Sequence, residues 1–279
     1  MITTTFKSWI DSAKNSLTNL RALIIFAVLY ALLLGTFYIF VSTREATVWQ
    51  VLVTYLFLLL IPAEFFALQA AIINSARGLG FDWKRILRDA LKIFVATIPV
   101  LILGWLIWLL VNKLAGRWPA PLPPPVFDLK APRSQPVHWP SLLFSTLRFL
   151  LFAVALPLAA IHLWIEATAR DVRAAFAGGA RAFFKRIADA LARAFASESV
   201  FIYGLGLIVF ALIPYAILSW KPNIKGTKTD FTVFILQVVL AFAFILFGWI
   251  VTLATLVRSR PEPPEPEVVA PAAVAEAAA

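Results

Sequence analysis

Residues 48–73 read VWQVLVTYLFLLLIPAEFFALQAAII. Glu64 is the one charged side chain in this stretch, and apolar residues fall on every face of a helix drawn through it. The hydrocarbon core of a bilayer is about 30 Å thick and is crossed by roughly 20 consecutive apolar residues in helical form. Residues 48–73 meet that requirement, and so do 22–41, 93–114, 142–165, 200–220 and 231–257. Membrane β-strands instead alternate apolar and polar residues over about ten positions, and none of these runs alternates. The chain therefore reads as all-α, a polytopic membrane protein with about six transmembrane helices. Four of the runs carry a proline, at Pro62, Pro99, Pro157 and Pro214. A neighbouring span must then satisfy the carbonyl that each proline frees.

Composition agrees with this reading. Hydrophobic residues make up 61% of the 279 and charged residues 14%, where a soluble domain has about 25% charged. The net charge of +10 raises the prospect of nucleic-acid binding, but the placement of the charges points elsewhere. Lys7, Lys14 and Arg21, five basic residues from Arg77 to Lys92, six from Arg170 to Arg193, and Arg258 and Arg260 all fall on one side of a six-span chain. They are 16 of the 25. The positive-inside bias makes that side, and with it both termini, cytoplasmic, and the localisation a cell membrane. Basic residues so placed fix topology and meet anionic head groups, and no nucleic-acid partner is expected. With no cysteine, thiol catalysis, thiolate ligands and disulfides are excluded. About twenty largely polar or amphipathic residues precede the first run, unlike the short basic region of a cleavable signal, so that run is expected to be retained.

Between the runs lie three stretches with apolar residues at helical spacing and basic residues opposite. The first holds Phe6, Trp9, Ile10, Ala13 and Leu17, with Lys7 and Lys14 on other faces. In the second, Trp83, Ile86, Leu87, Ala90, Leu91 and Phe94 are backed by Lys84, Arg85, Arg88 and Lys92. The third sets Phe176, Phe183, Ile187, Ala190, Leu191 and Ala194 beside Arg181, Lys185, Arg186 and Arg193. Helices of this pattern lie in the membrane interface. All three precede a span on the expected cytoplasmic side, so the chain reads as three units of interfacial helix, span, span, at 6–80, 81–180 and 181–260. Ser75-Ala76-Arg77 with Gly78 and Gly80, and Thr168-Ala169-Arg170 with Gly178-Gly179, mark unit ends where glycine allows a sharp turn. Residues 112–140 hold eight prolines and read as an extended outer loop anchored by Trp118 and Trp139. The Pro/Glu/Ala tail 261–279 reads as disordered.

This layout, with scraps such as Phe81-Asp82-Trp83-Lys84-Arg85, resembles the six-span membrane domain fused to some bacterial glycerophosphodiester phosphodiesterases, and related stand-alone families. The resemblance covers most of residues 6–260 and implies a non-catalytic membrane module. The phosphodiesterase catalytic domain has no counterpart here, so its activity is not carried over.

Candidate functional residues are few. Glu64 stands out, because a charged side chain at mid-membrane costs roughly 2.5–3.5 kcal/mol on insertion scales and faces the bundle interior. It reads either as a proton or cation site or as a neutral acid hydrogen-bonded between helices. At about 1.5 Å rise per residue, Gln69 and His162 fall within about a turn of its depth or little more, so Glu64, Gln69 and His162 form the expected intramembrane polar cluster. Arg148 lies too near the outer end of its span to pair with Glu64 and is expected to snorkel outward. Two histidines, one of them His138 in the outer loop, do not make a histidine-rich metal site. Gly204-Leu205-Gly206 sits in an apolar span, where glycine permits close helix packing and is not a phosphate loop. No catalytic residue, metal or cofactor is expected. The function expected is a non-catalytic module organising anionic lipid, a membrane-protein partner or a second copy of the chain. The alternative is a small secondary transporter or channel using Glu64.

Overall fold

The computed structural model describes residues 2–43, 47–119, 137–169, 179–221 and 227–259, and among these every regular element is helical. The helices are α1 (Ile2–Thr18), α2 (Leu20–Ser42), α3 (Val48–Ala76), α4 (Trp83–Ala115), α5 (Trp139–Arg148), α6 (Leu156–Ala169), α7 (Gly179–Ala194), α8 (Ser197–Leu207), α9 (Ile213–Ser219) and α10 (Thr227–Arg258). A π-helical segment, Phe149–Ala155, joins α5 to α6, and a second, Ile208–Leu212, joins α8 to α9. Six helical stretches are long and apolar enough to cross a membrane. These are α2, α3, α4, the continuous run Trp139–Ala169, the run Ser197–Ser219, and α10 from Lys228. In each, between 11% and 28% of the most apolar window is buried inside the bundle. Side chains such as Leu58, Leu59, Leu101, Trp105, Leu150 and Leu236 lie exposed. Apolar surface on that scale needs an apolar solvent, and the chain is an integral, multi-pass membrane protein.

Local chemistry sets the helix starts. The Asn19 side chain accepts from Ala22 N at 3.2 Å, Thr47 from Gln50 N at 3.3 Å, and Asp82 from Lys84 N at 3.0 Å, each satisfying an otherwise orphaned N–H. The end of α3 turns on Gly78, whose φ of 74° lies in the left-handed region. Leu79 N there closes onto the Asn74 carbonyl at 3.0 Å, so this glycine does the turning expected of it.

The spans pair as three hairpins: α2 with α3, α4 with α5–α6, and α8–α9 with α10. Packing along them is uneven. Nearly every residue is buried in Phe66–Asn74 of α3, Leu158–Glu166 of α6 and Ile250–Val257 of α10. Toward their other ends the same helices leave nearly all of their residues half-buried or exposed. The tightly packed end, here called the base, also carries the start of α4, the start of α8, and α1 and α7. The far ends hold mainly contacts within a hairpin, such as Arg148 Nη2 donating to Asn112 Oδ1 at 2.9 Å. That bond lies at the end of the hairpin away from the base, and Arg148 is exposed there.

The basic stretches differ from one another in the structure. Helix α1 is separate from α2, and its inward side is Thr5, Trp9, Ser12 and Ser16, packed against α8 and α10. Phe6 and Leu17 of the expected apolar stripe are exposed. The second stretch is no separate helix, since α4 runs unbroken from Trp83 to Ala115. Asp82 caps its start and no glycine falls between the basic and apolar parts to break it. Its inward side is Ile86, Ala90, Ile93, Thr97, Val100 and Gly104, alternating four- and three-residue steps of one helix face, with Asp89 beside Ala90. The proline-rich loop between 120 and 136 and the tail beyond 259 lie outside the described residues.

Two prolines, Pro157 and Pro214, sit two residues past the ends of the π segments. Pro157 has no N–H to return to the carbonyl of Ala153, and that oxygen accepts a hydrogen bond from Tyr203 Oη at 3.0 Å. A neighbouring span thus supplies the donor that the proline removes. Close approach between spans relies on glycine at two places. A Cβ on Gly206 would lie 2.1 Å from Thr252 Oγ1, and one on Gly248 would lie 2.9 Å from the backbone nitrogen of Phe210. Gly204 has open space around it, so of the Gly204–Gly206 pair only the second serves close packing.

Candidate functional site

Glu64 sits two residues short of the buried run of α3, partly buried and turned toward α2. Its Oε1 accepts a hydrogen bond from Thr36 Oγ1 at 3.1 Å. Its Oε2 is buried and has no hydrogen-bond partner among the described residues. Gln69, 1% exposed, lies five residues on. At 3.6 residues per turn it faces about 140° away, toward α10, where Trp249 Nε1 donates to Gln69 Oε1 at 2.6 Å. His162 Nε2 shares a hydrogen bond of 3.0 Å with Ser199 Oγ at the start of α8. The three residues expected to cluster thus have partners on three different helices, and each of these bonds ties two spans together. Trp164 adds a fourth tie. Its Nε1 donates to Thr97 Oγ1 at 2.8 Å, and that hydroxyl donates on to the Ile93 carbonyl at 2.7 Å.

The base holds a second polar group that the sequence reading did not single out. Asp89, 3% exposed, accepts from Asn74 Nδ2 at 3.1 Å through Oδ2, while its Oδ1 lies 3.1 Å from Lys92 Nζ. Arg77, at the end of α3, donates through Nη2 to the Ile165 carbonyl. Glu166, 6% exposed, lies 4.0 Å from Arg193 Nη1 of α7. Helices α3, α4, α6 and α7 are therefore held together by charged and amide groups where their apolar runs end. Buried charges are found where they have partners of this kind, and removing one partner leaves the other charge uncompensated. Asp89 was hidden in the sequence by its basic neighbours. The usable signal is its place on the Ile86, Ala90, Ile93 face, where a solvent-facing charge does not belong.

Of the residues read as head-group contacts, Lys84, Arg88, Arg181, Lys185 and Arg193 are exposed and Arg85 is half-buried. Lys92 is different. Its side chain is 12% exposed and it is occupied by Asp89. The Arg186 side chain lies outside the described residues.

Among the described residues no three His, Cys, Asp or Glu side chains come together in a way that would hold a metal ion. Comparison with known proteins gives no match: no family model, no curated protein and no solved structure matches this chain.

Proposed function

We propose that the chain is a non-catalytic membrane module that organises anionic lipid, or a partner protein, on the face formed by its base, and that this face is cytoplasmic. One observation carries the reading. Exposed Lys84, Arg88, Arg181 and Lys185 lie at the end at which the bundle is most tightly packed. Each basic side chain near an anionic membrane surface contributes about 1 kcal/mol, so four at one end form an effective lipid-recruiting surface. The interior polar residues support the same reading, because Gln69, His162, Thr97 and Asn74 are engaged in bonds between helices. The resemblance to the membrane domain of glycerophosphodiester phosphodiesterases points to a non-catalytic role as well. The test is to reconstitute the full chain in nanodiscs of mixed anionic and zwitterionic lipid and measure the lipid retained around it. Enrichment of the anionic lipid, reduced when Lys84, Arg88, Arg181 and Lys185 are changed together to Gln, is the expected result. Equal retention of both lipids by the wild-type chain contradicts the reading.

A second reading, a small transporter or channel, rests on Glu64 Oε2, a buried acceptor without a described partner. Intramembrane carboxyl groups mark ion pathways in many bundles. Proton or cation flux into proteoliposomes that disappears in Glu64→Gln is the result this reading requires, and equal flux in wild type and variant excludes it.

A further inference from the structure

At the base, the junction of α1 with α2 stands beside the ends of α3 and α10, and a cleft opens between them. Its polar lining, Asn15, Asn19, Ser75 and Arg258, comes from the ends of the helices, and its apolar lining, Phe26, Ile72 and Ile250 among it, comes from further along the spans. The change of polarity comes at one level on three separate helices. On α2 it falls between Asn19 and Phe26, on α3 between Ser75 and Ile72, and on α10 between Arg258 and Ile250. At about 1.5 Å per residue the longest of these steps spans about 12 Å. That is the change a bilayer makes from head group to acyl chain.

We infer that this cleft is a binding site for a single anionic phospholipid, with the phosphate at Arg258 and the first part of an acyl chain over Phe26 and Ile250. The inference deepens the lipid-organising reading above and rests on it. Charge is the first argument. Arg258 is the sole charged residue among those described as lining the cleft, and no carboxylate lines it with them. Among the described residues Arg258 makes one long hydrogen bond, 3.4 Å from Nη1 to Ser12 Oγ, which leaves the rest of its planar fork for a phosphate. The Asn19 oxygen is taken by the α2 cap, so its amide N–H groups remain as donors. Size is the second argument. The space within the open cleft is about 50 Å³, far below the roughly 300 Å³ or more of a site that engulfs a small molecule. An occupant is therefore held by one end, with the remainder running over the exposed apolar flank, as a lipid would lie.

The experiment uses the full chain, purified and exchanged into defined mixtures of phosphatidylglycerol and phosphatidylcholine, with bound lipids counted by native mass spectrometry. Wild type is expected to keep one phosphatidylglycerol under activation that strips the others. Arg258→Gln is expected to lose that lipid at least tenfold more readily, and Arg258→Lys to keep it. Ala22→Phe, which fills the cleft and leaves Arg258 in place, is expected to lose it as well, so the result does not depend on one variant folding. Changing Lys84 and Arg88 to Gln should reduce general anionic enrichment and spare the single lipid. Retention in both Arg258→Gln and Ala22→Phe overturns the site, while general enrichment that persists leaves the broader lipid reading standing. Absence of any anionic preference in wild type overturns both. Thermal stabilisation by glycerol phosphate equal to that by phosphatidylglycerol would assign the cleft to a soluble phosphate ester and overturn the lipid assignment.

Discussion

Tyr203 Oη reaches across from α8 to the carbonyl of Ala153 at 3.0 Å, the oxygen four residues ahead of Pro157. Two spans of different hairpins are thereby joined through a defect in one of them. Hydrogen bonds between membrane helices average about 0.6 kcal/mol and reach about 1.7 kcal/mol. Tyr203→Phe should cost near the top of that range, because the proline leaves the carbonyl without its ordinary helical donor. Thermal unfolding in detergent should show the loss, and it should shrink when Pro157→Ala restores an N–H. Equal losses in the two backgrounds would mean that the bond does not depend on the proline.

Glycine where the Ser197–Ser219 span meets α10 makes a sharper test. Gly248→Ala places a methyl group 2.9 Å from a backbone nitrogen, and forcing extra volume into a packed contact costs about 1–3 kcal/mol. Gly204→Ala, in open space, should be neutral or slightly stabilising. Paired melting curves distinguish the two, and similar behaviour would show that this span and α10 do not approach as described.

At the base, Lys92→Met removes the cation beside buried Asp89. Leaving a buried charge without its partner is among the costlier single changes, roughly 3 kcal/mol where burial is complete. Lys84→Met removes an equal charge from an exposed site and should cost less than about 0.5 kcal/mol. Denaturation of the two variants side by side checks the ordering, and comparable stability would move Lys92 back among the head-group contacts.

Thr36→Val removes the hydroxyl that donates to Glu64. Losing the partner of a buried acceptor costs about 1–3 kcal/mol, so the variant should melt lower, and Glu64→Leu in the same background should recover much of that loss. No recovery in the double variant would mean that Glu64 is satisfied by something other than Thr36.

These residues show what one chain of letters reveals in a membrane protein. The six spans were legible because about twenty apolar residues in a row have few other uses. The partners were not. Counting places Glu64, Gln69 and His162 at similar depth, but depth says nothing about which neighbour a helix face meets, and Glu64 and Gln69 point to different helices. Thr36, Ser199 and Trp249 are ordinary residues until the bundle sets them opposite a polar group. Asp89 was concealed in a basic run, and the continuity of α4 through that run reflects the absence of any breaker between Asp82 and the apolar part.

The orientation of the bundle underlies the rest, and the absence of native cysteine gives it a clean test. Single cysteines placed at Thr47 and Val137, at the far end, and at Lys84 and Ser197, at the base, can be labelled in intact cells with a membrane-impermeant maleimide. The account predicts labelling at Thr47 and Val137 without permeabilisation, and at Lys84 and Ser197 only after it. Labelling of all four in intact cells, or the reverse pattern, would contradict it.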